Sequence, residues 1–196
     1  MNVPEIPGDA TISSIDWRVI SPSTTLLRFV REIGGTAPLP VLDAPSGFGR
    51  NAVALAAHGV DVVCLDNDAR RLAEIERTKS ASLAAAPIDG PRGQIYNVCA
   101  DLSPQSWPFR PGVFGAIVCV HFDARALIET FWRSLAPGGY LYLESFGGQG
   151  RNYLKLPRAG EIRAALAEFD VFFYSERPAG PKSAEAVTVK AFARKN

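Results

Sequence analysis

The chain has 196 residues, of which 47% are hydrophobic and 21% charged. That length and balance suit one globular domain with a sizeable core. Lysine and arginine number 21 against 20 acids, for a net charge of +1. Such a balance excludes a broad basic field for duplex nucleic acid or an anionic membrane, leaving local patches open.

The opening residues, rich in proline, glycine and serine, read as irregular and carry no basic-then-apolar leader pattern. Ser21-Pro22 followed by residues 24–33, with Gly34-Gly35 after the last turn, predicts a helix with Leu26, Leu27, Val30 and Ile33 on its apolar face. Leu39 to Ala44 predicts a first strand, PSGFGRN a loop, and Ala52 to Ala57 a helix closed by Gly59. Asp61 to Asp66 is a second strand, and Asp68 caps a helix over residues 69–79. Residues 80–93 read as a linker, Gln94 to Cys99 as a third strand, and Val113 to Cys119 as a central fourth strand, apolar on both faces. A helix over 124–135 stops at Pro137-Gly138-Gly139 and a fifth strand runs from Tyr140 to Ser145. A helix over 158–168 precedes two last strands, 169–176 and 186–193, whose turn-rich link leaves no room for a helix and so predicts an antiparallel hairpin. The short β-α-β-α alternation is that of a parallel sheet covered by helices on both faces.

Cys64, Cys99 and Cys119 have neither C-x-x-C spacing nor an even count, so each is read as a buried small hydrophobe. The longest apolar stretch, near residues 113–120, falls far short of the ~18 residues of a membrane span. A cytoplasmic protein, monomer or homodimer, with no membrane or nucleic-acid partner is the expectation. Residues 1–196 are read as a single domain, with 1–37 an N-terminal arm and helix and 38–196 the core.

Ligands of open α/β sheets bind at the carboxyl ends of the strands, and four features fall there. The Asp43-Ala44-Pro45-Ser46-Gly47-Phe48-Gly49 loop allows close backbone approach, and the next helix offers free N–H groups to an anionic group. Asp66, 19 residues after Gly47, suits a ribose diol; the alternative is that it caps the next helix, for which Asp68 is better placed. Asp101, with the Leu102 N–H, suits a purine edge, or is a solvated turn residue. His121 is a candidate general base or a hydrogen-bonded structural histidine, and its H-x-D pair with Asp123 is too small for a metal site. His58, beside Gly59, is read as structural, favouring a helix C-terminus.

VLDAPSGFGRNAVALAAHGVDVVCLDND, with ADL at 100–102 and LAPGGYLYLES, resembles the cofactor motifs of class I S-adenosylmethionine-dependent methyltransferases. The likeness runs from about Leu39 to Arg194, and GRN after the glycines is most similar to the tellurite-resistance and related small-molecule subgroup. It implies a Rossmann-like α/β fold, with a seven-stranded sheet of order 3-2-1-4-5-7-6 and strand 7 antiparallel. It further implies that Asp43, Ala44, Gly47, Phe48 and Gly49, within the loop Asp43 to Gly49, wrap the methionine half of S-adenosylmethionine, with Asn51 and Asn67 also binding the cofactor. Asp66 would hold the ribose, Asp101 and Leu102 the adenine, and the Cys119 and Val120 backbone the amino group. The sequence departs from the usual Asp-x-Gly-x-Gly-x-Gly: Pro45 replaces the first glycine, removing a donor and stiffening the loop, while Ala44 and Ser46 stay small.

Two rivals stand beside this reading. Gly47-x-Gly49-x-x-Ala52 with Asp66 also fits an NAD(P)-dependent Rossmann oxidoreductase, although Asp43 and the closing hairpin count against it. A non-catalytic S-adenosylmethionine-binding protein is the other. For an enzyme, the missing Asn/Asp-Pro-Pro-Tyr after strand four disfavours base methylation and points to a small-molecule acceptor. The N-terminal helix, Phe122, Phe146, Arg151 and Tyr153 would roof its pocket. A thiol or selenol would need little base assistance; an alcohol or carboxyl acceptor would ask more of His121, with Tyr153 or Glu144 as alternates.

Overall fold

Apolar runs bounded by glycine, proline or an acid become strands: β1 (Val41–Asp43), β2 (Val62–Asp66), β3 (Ile95–Cys99), β4 (Phe114–Val120), β5 (Leu135–Glu144), β6 (Phe169–Pro178) and β7 (Val187–Lys195). The computed structural model describes residues 21–196, so the N-terminal arm up to Ile20 lies outside the described residues. The strands form one sheet in the order β3-β2-β1-β4-β5-β7-β6. The first five pair in parallel, and β7 runs antiparallel to both β5 and β6. This is the topology the sequence implied.

All seven residues of β4 are buried, as its unbroken apolar run predicts for a central strand. Its side chains alternate between two layers. Ile117 and Cys119 pack with Leu42, Phe131 and Leu141 on one face, while Ala116, Val118 and Val120 pack with Leu26, Leu55, Ile75 and Phe192 on the other. Burying each such large apolar side chain stabilises the fold by roughly 1.5–3 kcal/mol.

Among the described residues six α-helices flank the sheet: α1 (Thr24–Leu27), α2 (Val30–Gly34), α3 (Arg50–Ala57), α4 (Ala69–Ala85), α5 (Ile128–Ser134) and α6 (Glu161–Ala165). The helix predicted over 24–33 is broken at Arg28-Phe29. There the chain tightens into i→i−3 turns, and Phe29 leaves helical geometry to stack on Phe192 at 4.2 Å. Helix α4 runs six residues beyond the predicted end at Lys79, because Ser80 to Ala85 is alanine-rich. It stops at Ala85, and Ala86, directly before Pro87, is extended, as the steric restriction on pre-proline residues requires. Strand β5 starts at Leu135 rather than Tyr140, with the Pro137-Gly138-Gly139 turn kept as an irregularity in its pairing with β4. The helix predicted over 124–135 opens with a 3-10 turn at Arg125–Leu127, and that predicted over 158–168 is only α6. Cys64 and Cys119 are buried as predicted; Cys99 is exposed, because β3 is an edge strand. Among the described residues no helix is long and apolar enough to cross a membrane.

Candidate active site

The carboxyl ends of β1, β2 and β4 meet at a cleft of about 370 Å³, lined by Pro45, Ser46, Gly47, Phe48, Arg50, Asn51, Asp66, Arg71, Val120 and His121. Its volume falls within the ~300–1,000 Å³ of ligand sites. Residues 44–49 join β1 to α3. Gly49 adopts φ +77°, and a Cβ there would come within 2.9 Å of Ile75. Glycine therefore serves two needs at this position: left-handed backbone, and close packing of the loop on α4.

Asp43 ends β1 with no exposed surface, and neither carboxylate oxygen has a hydrogen-bond partner. Burial pushes its carboxyl well above the usual range, against the weaker pull of the Ala52 amide, which does not reach hydrogen-bond geometry, and of the Arg50 charge. Ser46 Oγ, also buried, is likewise unpartnered. Asp66, 1% exposed, accepts from Gly47 N at 2.8 Å and from Asp68 N at 3.0 Å, and so ties the β1 and β2 loops together. Asp68 caps α4, accepting from Arg70 N, which removes capping as the role of Asp66. Arg71 reaches to 3.8 Å from Asp66 and lies over the Phe48 ring at 5.7 Å.

His121 follows β4 in left-handed backbone, φ +56°, with its N–H donating to Glu144 O at 2.7 Å. Its Nδ1 lies 3.2 Å from Arg50 Nη2 and its Nε2 3.8 Å from Glu144 Oε1. Burial, followed by the Arg50 and Lys190 charges, lowers its pKa against the opposing pull of Glu144, so the ring is neutral near pH 7. Glu144 is a hub: Ser23 Oγ (2.7 Å), Tyr142 OH (2.9 Å) and Lys190 Nζ (2.8 Å) all donate to it. Burial alone would raise its carboxyl, but those three donors outweigh it and hold the pKa below the ordinary value.

A ligand for this cleft should bring donors to the buried Asp43 and to Ser46, and a diol to Asp66. S-adenosylmethionine carries an ammonium, a sulfonium and a ribose diol, so the residues present fit it.

The methyltransferase domain family matches residues 41–139, half of the chain, covering β1 to the start of β5. The chain belongs to this methyltransferase family. A curated relative, the tRNA 5-carboxymethoxyuridine methyltransferase of Escherichia coli K12, is 31% identical over 117 residues, 59% of this chain and 43% of the relative. The chain therefore spans less than half the length of the curated relative it matches. Among solved structures, TehB from Haemophilus influenzae aligns with a TM-score of 0.63 at 17% identity, covering 88% of this chain and 62% of that one. Magnesium protoporphyrin IX methyltransferase from Synechocystis, solved with bound SAH, aligns with a TM-score of 0.65 at 18% identity, covering 88% and 80%. At these identities the neighbours show the fold, that of class I S-adenosylmethionine-dependent methyltransferases. S-adenosylmethionine is the cofactor of that class, and the nicotinamide alternative is set aside.

Within this methyltransferase, Gly47, Phe48, Asn51, Asp66 and Val120 line one cleft, with Ala44 and Gly49 in the loop beside it. Asn51 is also engaged elsewhere, its Oδ1 accepting from Ser23 N at 3.0 Å. Asn67 and Asp101 meet each other at 3.3 Å on the exposed rim beyond β3, outside the cleft lining, and Leu102 packs toward the core. The Cys119 side chain faces the opposite layer, where burial pushes its thiol up, leaving only its backbone near the cleft. Tyr153 is not brought to the cleft. Its ring packs on Gly180, where a Cβ would come within 2.5 Å. Phe122 and Phe146 line a separate small pocket of about 20 Å³ beside Glu144. Asp123 is paired with Arg125 at 2.6 Å, not with His121. His58 Nδ1 donates to Ala54 O at 2.8 Å at the end of α3, the structural role predicted for it. Sequence reasoning missed Arg50, Arg71, Ser23 and Lys190. Only Arg50 had a local signal, standing directly after Gly49 in the first turn of α3.

Proposed function

We propose that this chain transfers the methyl group of S-adenosylmethionine to a small-molecule acceptor. The observation that carries the reading is the pair of buried carboxylates at the ends of β1 and β2: Asp43 without a partner, and Asp66 bracing the glycine loop that lines a cleft large enough for a nucleoside. In this reading Asp43, Ala44, Gly47, Phe48, Gly49 and Asn51 hold the methionine half, with the Cys119 and Val120 backbone at the amino group. Asp66 and Asn67 hold the ribose; each Asp66 oxygen keeps a lone pair beyond the one its loop amide uses. Asp101 and the Leu102 N–H hold the adenine edge.

When bound, the cofactor supplies a methyl group on a sulfonium, already a good leaving group. The chain's own contribution is therefore to position, to exclude water and to align the acceptor for in-line attack. His121 and Glu144 stand at the acceptor side, above β4 and β5.

The curated relative favours a second reading, a tRNA acceptor. The near-zero net charge supports the small-molecule reading, because tRNA binding draws on a basic surface. Incubation with tritiated S-adenosylmethionine and separate small-metabolite and tRNA fractions tests this. Label in the metabolite fraction is expected; label confined to tRNA would reverse the assignment.

A further inference from the structure

Methyl transfer to an alcohol, amine or phenol must dispose of a proton, so the lone pairs around the acceptor side decide which nucleophiles the site serves. A guanidinium donates and never accepts. The 3.2 Å contact from Arg50 Nη2 therefore fixes His121 Nδ1 as an acceptor and leaves the ring proton on Nε2, facing Glu144. The imidazole lone pair that a general base would use is capped. Glu144 already accepts from Ser23, Tyr142 and Lys190. Asp66 accepts from two loop amides and Asp123 from Arg125. Asp43 has no exposed surface and is assigned to the cofactor side. Among the described residues lining the cleft and its acceptor side, the imidazole and the Glu144, Asp66 and Asp123 carboxylates are thus each already committed to a donor, which weakens them as bases.

The charges point the same way. Arg50, His121, Glu144 and Lys190 form a row across the acceptor side, and Arg71 and Asp66 face it from the cofactor side. Glu144 is matched by Lys190. Arg50 makes no ion pair among the described residues, bonding only to Ser21 O and to His121. The row is left with an excess positive charge and an imidazole N–H.

Resting on the methyltransferase reading above, we propose that the acceptor is a carboxylate, received by Arg50, Lys190 and the His121 Nε2–H and converted to its methyl ester. A carboxyl group is ionised near neutral pH and has no proton to lose, so grouping it with alcohols as demanding a base does not hold. The carboxylate oxygen forms the new bond to the methyl carbon, and the methyl–sulfur bond breaks with its electron pair left on sulfur. The negative acceptor and the positive sulfonium become two neutral centres, and no proton moves. His121 is then a hydrogen-bond donor that orients the acceptor, not a base.

The test uses the full chain saturated with S-adenosylhomocysteine and titrated with acetate, benzoate and octanoate, with benzamide as the uncharged counterpart of benzoate. At least one carboxylate is expected to bind saturably, and benzoate at least about tenfold tighter than benzamide, the scale of one charge-assisted hydrogen bond. Lys190→Met should erase the preference and Lys190→Arg keep it. Nitrogen NMR of His121 near pH 7 should show the Nε2–H tautomer. Saturable binding of none of the three carboxylates, equal affinity for benzamide, or an Nδ1–H tautomer overturns the proposal while leaving the methyltransferase reading intact. Failure to bind S-adenosylhomocysteine overturns that reading itself, and this proposal with it.

Discussion

The two ends of the sheet satisfy their polar groups in opposite ways. At the β5–β7–β6 end, half-buried Phe29 and Tyr140 stack on the buried Phe192 at 4.2 Å and 5.0 Å in a continuous file. Polar groups there close on neighbours: Glu176 accepts from Tyr174 and Gly160 N, and Lys195 donates to Trp132 O and Leu135 O. Trp132 Nε1 is the exception, its ring lying 4.0 Å from the Lys195 ammonium. At the β1–β2 end a buried aspartate and a buried serine stand with no partner, and the loop around them is held in left-handed backbone. A buried polar group without a partner costs roughly 1–3 kcal/mol. One end is thus arranged for stability, and the other keeps polar atoms for a ligand.

Substitutions at the two ends should separate these roles. Phe192→Ala, removing the centre of the aromatic file, is expected to cost about 3–5 kcal/mol in denaturant unfolding, with S-adenosylhomocysteine affinity of the folded protein unchanged. Loss of affinity without loss of stability would erase the contrast. Gly49→Val forces a branched side chain into φ +77° and against Ile75. It should cost about 2–4 kcal/mol and remove cofactor-induced thermal protection as well. Asp66→Ala leaves two loop amides unmatched and should weaken cofactor binding by roughly 1–3 kcal/mol in calorimetry; unchanged affinity would move the ribose site elsewhere.

Asp43→Asn sharpens the contrast most, because its two effects have opposite signs. Burial raises the Asp43 pKa in the folded chain above its unfolded value. Its contribution is therefore most favourable below the unfolded pKa and is lost as pH rises toward the folded one. Near neutral pH the ligand-free protein is strained by this carboxyl, and the neutral asparagine should raise Tm, by about 2–4 °C for each kcal/mol regained. The same change should reduce the Tm gain from S-adenosylhomocysteine. A lower Tm without ligand would show that Asp43 is stabilising and already matched.

Much of this division was legible in the sequence. Strands β1, β2 and β4 are compact apolar runs, and an acid closing such a run at Asp43 and Asp66 can be read without coordinates. What escaped reading depends on distant contacts. Ser23 meets Glu144 across 121 positions, and Tyr153 is held away from the cleft by Gly180 in the final hairpin. Arg50 and Arg71 were two arginines among many until the fold set one against His121 and the other over Phe48. The break at Arg28-Phe29 follows from the Phe29–Phe192 stack, which outweighs local helix preference. His121 shows most clearly where sequence reasoning ends: its position after β4 leaves a general base and a structural histidine both open, and only the neighbouring guanidinium says which nitrogen carries the proton.

The central claim, that the polar end of the sheet is a site for S-adenosylmethionine, is tested most directly by parallel calorimetric titration of the full chain with S-adenosylhomocysteine and with NADH. Saturable binding of S-adenosylhomocysteine and none of NADH is the result this structure requires. Saturable NADH binding with no response to S-adenosylhomocysteine would contradict it.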